Sequence, residues 1–410
     1  MVEHQRETLA FLCERGLDAS HVLTEKEEHP VARAHEAFYK AGALAVRLGG
    51  KAGRLGESIV ATALLEGLLQ ALVAAGKAGT PVTIMVDDGV GDLFDTLVYQ
   101  DAFWPRLQIV TSPTAEHLDA SSWRSLAFPA GSTLRLDLHG AHDGMPYLEE
   151  VDGDMALMHL SRAGIRCYAR HKQLRRYADF IQDLLALPPG TVDPRLAQPH
   201  IRLGALARSR YSALAQAVRW HEEALHIVCF FQSIVTAKCY QRWDEVLAAL
   251  ADLVAHQWPD RQMEILLACG PEEQQPAGFH MSDLKASFAG FTGTQRNALV
   301  QVEQIPSLCD LAVLISRASL VLSNDTGPGH LAGALSIPTI TPFLPGGVYS
   351  KEVWASSLWH HGVTLEPSPF TTQEIESAVI WDDTAVIDRI PPESIVAEAL
   401  ACLTADIETG

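Results

Sequence analysis

A chain of 410 residues, at about 100–200 residues per domain, divides into two or three domains. Hydrophobic residues make up 48% and charged residues 20%, a composition that forms a core and excludes wholesale disorder. Acidic residues outnumber basic ones 50 to 31, for a net charge of −19, which argues against binding to nucleic-acid phosphates and against adsorption to anionic lipid through net charge.

The first 40 residues are charged and broken at His29–Pro30, and are expected to form a helical N-terminal extension. Their only apolar stretch carries charges, so it does not resemble a signal peptide. A first lobe is expected over 41–195. There Ala41–Gly50 is a short apolar run ending in glycines, which predicts a buried strand, and 57–75 predicts a long helix. That helix is interrupted by Glu66 and Gln70, and so reads as buried rather than as membrane-spanning. Further strands are predicted at Pro81–Asp88, Leu107–Ser112 and Ser132–Gly140. Strands alternating with helices imply a parallel sheet covered on both faces.

The stretch LPPGTVDPRLAQP, from Leu187 to Pro199, cannot continue a helix or a central strand and marks the domain boundary. The alternation restarts in a second lobe expected over 200–390. Its predicted elements are a helix over 205–224, strand His226–Phe231, helix Trp243–His256, strand Met263–Cys269, helix Ser307–Ser316, strand Leu320–Asn324, helix His330–Leu335 and strand Pro338–Phe343. A terminal segment at 391–410 carries a helix behind a proline start, expected to pack back on the first lobe. Two doubly wound lobes would bind ligands at the carboxyl ends of strands facing a cleft.

Several stretches carry chemistry or exclude it. In SNDTGPGHLAGALSIPT (Ser323–Thr339), an apolar strand ends in Asn324–Asp325–Thr326, and Gly327–Pro328–Gly329 predicts a tight turn into a small-residue helix. Glycines admit an anion to backbone N–H groups, and a helix start offers unpaired donors with a favourable dipole. A phosphate-cradling loop of the Walker type is excluded, because Lys51 precedes Ala52 and Gly53. The seven cysteines contain no C-x-x-C pair and read as free thiols in a reducing compartment, so a cytoplasmic protein is expected. HGAHD (His139–Asp143) reads as a loop with hydrogen-bonded His rather than a metal site, and HEEALH (His221–His226) lacks the i, i+4 spacing of a zincin.

The 323–339 segment resembles the D-[ST]-G-x-x-H-L-A-x-A-L-x-x-P-T signature of glycosyltransferase family 9, the ADP-heptose:lipopolysaccharide heptosyltransferase family. Asp325, Thr326, Gly327, His330, Leu331, Ala332, Ala334, Leu335, Pro338 and Thr339 match it. The resemblance implies a GT-B fold, with the donor nucleotide held by the C-terminal lobe. It places Ser233 and Lys238, in FFQSIVTAKCYQRWDEVLAAL, against the donor diphosphate together with Asp325, Thr326 and the backbone from Gly327 through Pro328 and Gly329 to His330 and Leu331. It also implies that Glu272, in ILLACGPEE, meets the nucleotide ribose. In the first lobe GRLGESIVATALLEGL resembles the family's glycine–acid segment, with Glu57 where the family has an Asp as proposed catalytic base. Between Met155 and Ala178 six Lys/Arg and no acids occur, and Arg166, Arg170 and Arg175 are the candidates for an anionic acceptor.

The resemblance implies an inverting, metal-independent glycosyltransferase that uses a nucleotide-sugar, such as ADP-heptose, and no other cofactor. Its acceptor would be a glycan, glycolipid or protein hydroxyl, with neither nucleic acid nor a transmembrane segment involved. Glu57 in place of Asp, and Phe343–Leu344–Pro345 in place of the family's Phe-Gly-Pro, leave two alternatives open. One is a non-catalytic GT-B protein that binds a nucleotide-sugar or glycan; the other is a nucleotide-sugar epimerase or hydrolase.

Overall fold

The computed structural model describes residues 34–48, 55–87, 107–112, 133–137, 147–152, 155–159, 177–194, 198–269 except 234, 298–344 except 306, and 362–409 except 370, 372, 375, 376 and 378–382. The chain divides into two compact units, the first ending at Arg202 and the second beginning at Leu203.

The first unit opens with helix α1 (Ala34–Lys40) and strand β1 (Ala43–Arg47), whose five residues are all buried. Helix α2 (Leu55–Ala74) follows, then strands β2 (Val82–Asp87), β3 (Leu107–Ser112), β4 (Thr133–Asp137), β5 (Tyr147–Asp152) and β6 (Met155–His159), and helix α3 (Tyr177–Leu184). The sheet order is β3-β2-β1-β4-β6-β5. All pairings are parallel except β5 with β6, which is antiparallel and puts one reversed strand on the edge. The sequence reading missed both of these strands. YLEEVD carries three acids in six residues and lacks an apolar run, and MALMH opens the stretch read for its basic residues.

Helix α2 buries residues on nearly every face, consistent with a helix enclosed by its sheet, α3 and the chain that follows α3. That chain is the proline-rich connection. Its backbone donors have no ladder of their own, so side chains of the two helices accept them. Val192 N–H donates to Gln182 Oε1 (2.9 Å), Asp193 N–H to Gln70 Oε1 (2.8 Å) and His200 N–H to Thr62 Oγ1 (3.3 Å). Glu66 belongs to the same helical stripe as Thr62 and Gln70. Burial pushes its carboxyl up to about 7, against the opposing pull of Arg202.

The second unit contains helices α4 (Ala205–Ser209) and α5 (Tyr211–Ala217), where one helix over 205–224 was expected. Strand β7 (Leu225–Phe230), a 3-10 turn at Thr236–Lys238, helix α6 (Trp243–Gln257) and strands β8 (Met263–Cys269) and β9 (Ala298–Gln304) follow. Then come helix α7 (Leu308–Ile315), strand β10 (Leu320–Ser323), helix α8 (Gly327–Ala334), strands β11 (Thr339–Pro342) and β12 (Gly362–Leu365), and helix α9 (Pro392–Thr409). Helix α7 starts one residue later than expected, because Ser307 Oγ accepts from Asp310 N–H and Ser307 is the N-cap.

The sheet order is β12-β11-β10-β7-β8-β9, all parallel. Order reverses between β7 and β10, so the chain leaves their carboxyl ends toward opposite faces and opens a crevice there. Strands β9 and β12 were not predicted. Each is an edge strand with little full burial, so neither shows the continuous apolar run of the central strands. Helix α9 belongs to the second unit and packs along α6.

Candidate functional site

At the switch point of the second sheet, β7 and β10 run parallel with Phe230 beside Ser323. The segment after β7 carries Ser233 and Lys238, and the segment after β10 carries Asn324, Asp325 and the start of α8. Here the structure corrects a boundary. Gly327, Pro328 and Gly329 are not a turn preceding the helix but its first three residues, with Thr326 as extended N-cap residue (φ −141°, ψ 165°). The physical reason is that Pro at the second helical position lacks only a donor that no helical turn would use.

Asp325 is the centre of the arrangement. Lys238 Nζ donates to its Oδ2 at 2.6 Å, and His330 Nε2 lies 3.2 Å from its Oδ1. All three side chains are almost completely withdrawn from water, at 3% exposure for Asp325, 4% for His330 and 11% for Lys238. Burial by itself would raise the Asp325 carboxyl, but Lys238 and His330 outweigh it and hold it at about 2, below its ordinary 3.8. The carboxylate is therefore ionised throughout the physiological range and fixes a cation beside the first turn of α8.

Around this centre the helix start is made by close packing. A Cβ on Gly329 would stand 2.8 Å from Ser323 Oγ and 3.1 Å from Ser323 Cβ, so only glycine lets α8 approach the end of β10 this closely. Ser323 Oγ donates to Asn324 O at 2.7 Å and lies 3.2 Å from Thr326 Oγ1. Thr326 makes no side-chain cap, and its half-buried side chain stands at the mouth of the helix with Gly327 and Pro328. Leu331 is fully buried, and as the fifth residue of α8 its N–H belongs to the helical ladder. His330 N–H also donates, to Thr326 O at 3.2 Å, and Pro328 has no N–H, so the helix-start donors left for a ligand are those of Gly327 and Gly329. Ser233 Oγ accepts from Val235 N–H at 3.3 Å, which turns the segment leading to Lys238.

Sequence reasoning placed these residues together by resemblance but did not anticipate that Lys238, Asp325 and His330 pair with one another. It also missed Tyr240 and Trp243, which join Asn324 behind the site. The signal for Trp243 was an aromatic at the start of a helix, indistinguishable in sequence from ordinary core.

Of the other candidates, Glu57 lies in the first turn of α2, after the carboxyl end of β1. Strand β1 borders the place where the first sheet reverses order, between β1 and β4. Glu272, Arg166, Arg170 and Arg175 lie outside the described residues, as does His139–Asp143. His221 and His226, excluded as a zincin pair, are bound instead to the fully buried Glu264 near the amino ends of β7 and β8, with His221 N–H 2.9 Å from Glu264 Oε2 and His226 Nε2 3.4 Å from the same oxygen. Among the described residues no group of three or more His, Cys, Asp or Glu is placed to hold a metal ion, and no helix is long and apolar enough to cross a membrane.

Residues 205–369 match the family model of glycosyltransferase family 9 (heptosyltransferase). No curated protein matches the chain in sequence. Among solved structures, a glycosyl transferase family 9 protein from Veillonella parvula DSM 2008 is 16% identical, with 90% of this chain and 99% of that one covered and a TM-score of 0.54. The ADP-heptose lps heptosyltransferase II of E. coli is 12% identical, with 89% of this chain and 99% of that one covered and a TM-score of 0.50. The second unit thus contains a glycosyltransferase family 9 domain, and the chain that carries it is a glycosyltransferase with the GT-B fold.

Proposed function

We propose that the protein transfers a sugar, heptose being the first candidate, from a nucleoside-diphosphate donor to an acceptor hydroxyl with inversion and without a metal ion. The observation that carries this reading is the buried Lys238–Asp325–His330 constellation at the start of α8. An ammonium held by a carboxylate, beside helix-start N–H groups, is a preorganised receptor for the charge that develops on a departing diphosphate. In the step, the acceptor O–H gives its proton to Glu57, its oxygen bonds to the anomeric carbon, and the bond from that carbon to the β-phosphate oxygen breaks. The electron pair leaves with the nucleoside diphosphate, facing Lys238 and the amides of Gly327 and Gly329. Ser233 and Thr326 supply hydroxyl donors and Glu272 the contact to the ribose.

A carboxylate with an ordinary Glu pKa of about 4.3 is ionised at neutral pH and can serve as the base without a large shift. Glu in place of Asp lengthens the side chain by one methylene, so the acceptor hydroxyl is expected to sit correspondingly farther from the backbone of α2. The basic residues Arg166, Arg170 and Arg175 favour an acceptor carrying phosphate or carboxylate groups, whether glycan, glycolipid or protein. The test is incubation with ADP-, UDP-, GDP- and dTDP-linked sugars, with and without phosphorylated glycolipid acceptors. Acceptor-dependent release of nucleoside diphosphate is expected. Binding without release, or release without acceptor, would refute transfer and leave a binding protein or a hydrolase.

A further inference from the structure

We infer that Asn324 is a positioning residue for donor binding, clamping both ends of the segment that carries Ser233 and Lys238. The inference rests on the donor-site reading above. Asn324 is fully buried and immediately precedes Asp325. Its Nδ2 donates to Phe231 O at 2.7 Å, at the point where the segment leaves β7. Its Oδ1 accepts from Tyr240 N–H and from Trp243 Nε1–H, both at 3.2 Å, at the point where the segment enters α6. Its own N–H donates to Phe230 O at 3.0 Å. One planar amide thus ties the departure and the return of the 231–240 segment to the end of β10.

The segment is held internally by short-range bonds, so its orientation follows from how its ends are pinned. Lys238 N–H donates to Val235 O at 3.0 Å, and Cys239 N–H to Thr236 O at 2.7 Å. The two ends are closed further by stacking of Phe231 on Trp243, with ring centroids 4.7 Å apart and planes 11° apart. Consecutive residues of β10's exit therefore fix Lys238 twice, through its backbone by Asn324 and through its ammonium by Asp325. Among side chains of this length, only the amide supplies both a donor and a two-fold acceptor. An aspartate here would set a second acceptor against Phe231 O, and alanine would remove all three bonds, two of them made by the buried donors of Tyr240 and Trp243.

The test is a double-mutant cycle between Asn324→Ala and Lys238→Ala, read by calorimetric binding of ADP and of UDP, with amide hydrogen exchange over 231–243 in parallel. With Lys238 present, Asn324→Ala is expected to weaken diphosphate binding about tenfold or more; in the Lys238→Ala background the further loss is expected to stay under about threefold, because the clamp acts through the lysine. Exchange at Tyr240 is expected to accelerate. Trp243→Phe keeps the stack and removes one of the three bonds, so it should weaken binding in the same direction by a smaller factor. If Asn324→Ala does not fold, Asn324→Asp and Trp243→Phe carry the same cycle. Equal losses in both backgrounds would show a general structural role and overturn the positioning role alone. Failure of the wild type to bind either nucleotide would overturn the donor-site reading and the positioning role together.

Discussion

Lys238→Ala separates the electrostatic role of the lysine from its structural one. Asp325 is held at about 2 rather than 3.8 although its burial acts the other way. At 1.36 kcal/mol per pKa unit, that depression corresponds to about 2 kcal/mol of native-state stability at neutral pH. The sign follows from the direction of the shift. A carboxyl with a lowered folded value contributes stability that is complete above 3.8 and is lost as pH falls toward about 2. Removing Lys238 leaves a buried charge short of its main partner, and breaking such a pair costs about 3–5 kcal/mol. Urea unfolding at pH 7 should therefore show a loss of about 2–5 kcal/mol for Lys238→Ala. Lys238→Ala combined with Asp325→Asn removes both charges and should recover most of that stability. Turnover should behave differently. Loss of one preorganised donor costs about 2.7–4 kcal/mol in the transition state, so both variants should be slower by about a hundredfold to a thousandfold with the donor the wild type uses. The assay is release of nucleoside diphosphate in the presence of acceptor. Wild-type turnover in Lys238→Ala, or a double variant no more stable than the single one, would refute the reasoning.

Glu57→Gln retains size and hydrogen bonding but removes the base; transfer should collapse while binding of the nucleotide-sugar, measured by calorimetry, survives, and unchanged transfer would reject Glu57. Gly329→Ala places a methyl 2.8 Å from Ser323 Oγ, and the resulting overpacking should cost about 1–3 kcal/mol in urea unfolding despite alanine's better helix propensity. A stabilised variant would contradict the close approach of α8 to β10. Glu66, raised to about 7 from an ordinary 4.5, binds its proton more tightly in the folded protein, so its contribution falls as pH rises from 4.5 through 7. Glu66→Gln should therefore gain on the wild type by about 3 kcal/mol between pH 4 and pH 8, and an advantage independent of pH would show that burial of the carboxylate is not the cause.

Much of this molecule is written locally. Central strands such as β7, β8 and β10 are short apolar runs because both faces of a parallel sheet are covered, and their limits were readable within a residue or so. The proline-rich break before Leu203 and the N-cap at Ser307 are equally local. The 323–339 motif pointed, from residue types alone, to the family whose model matches residues 205–369. Other features had no local signal. Edge strands β5, β9 and β12 each pair with one neighbour, and β9 and β12 bury little, so composition does not distinguish them from loop. The length of α8 depended on Thr326 adopting an extended cap and on Gly329 meeting Ser323, a contact between residues six apart whose closeness only packing decides. The pairing of Lys238 with Asp325 joins residues 87 positions apart, and the Asn324 clamp spans as far. Sequence supplied a lysine, a carboxylate, an imidazole and an amide at the ends of two strands. Their assembly into one buried, charge-balanced cluster required the strand order that sets β7 beside β10, because only there do the two strand exits open onto the same point.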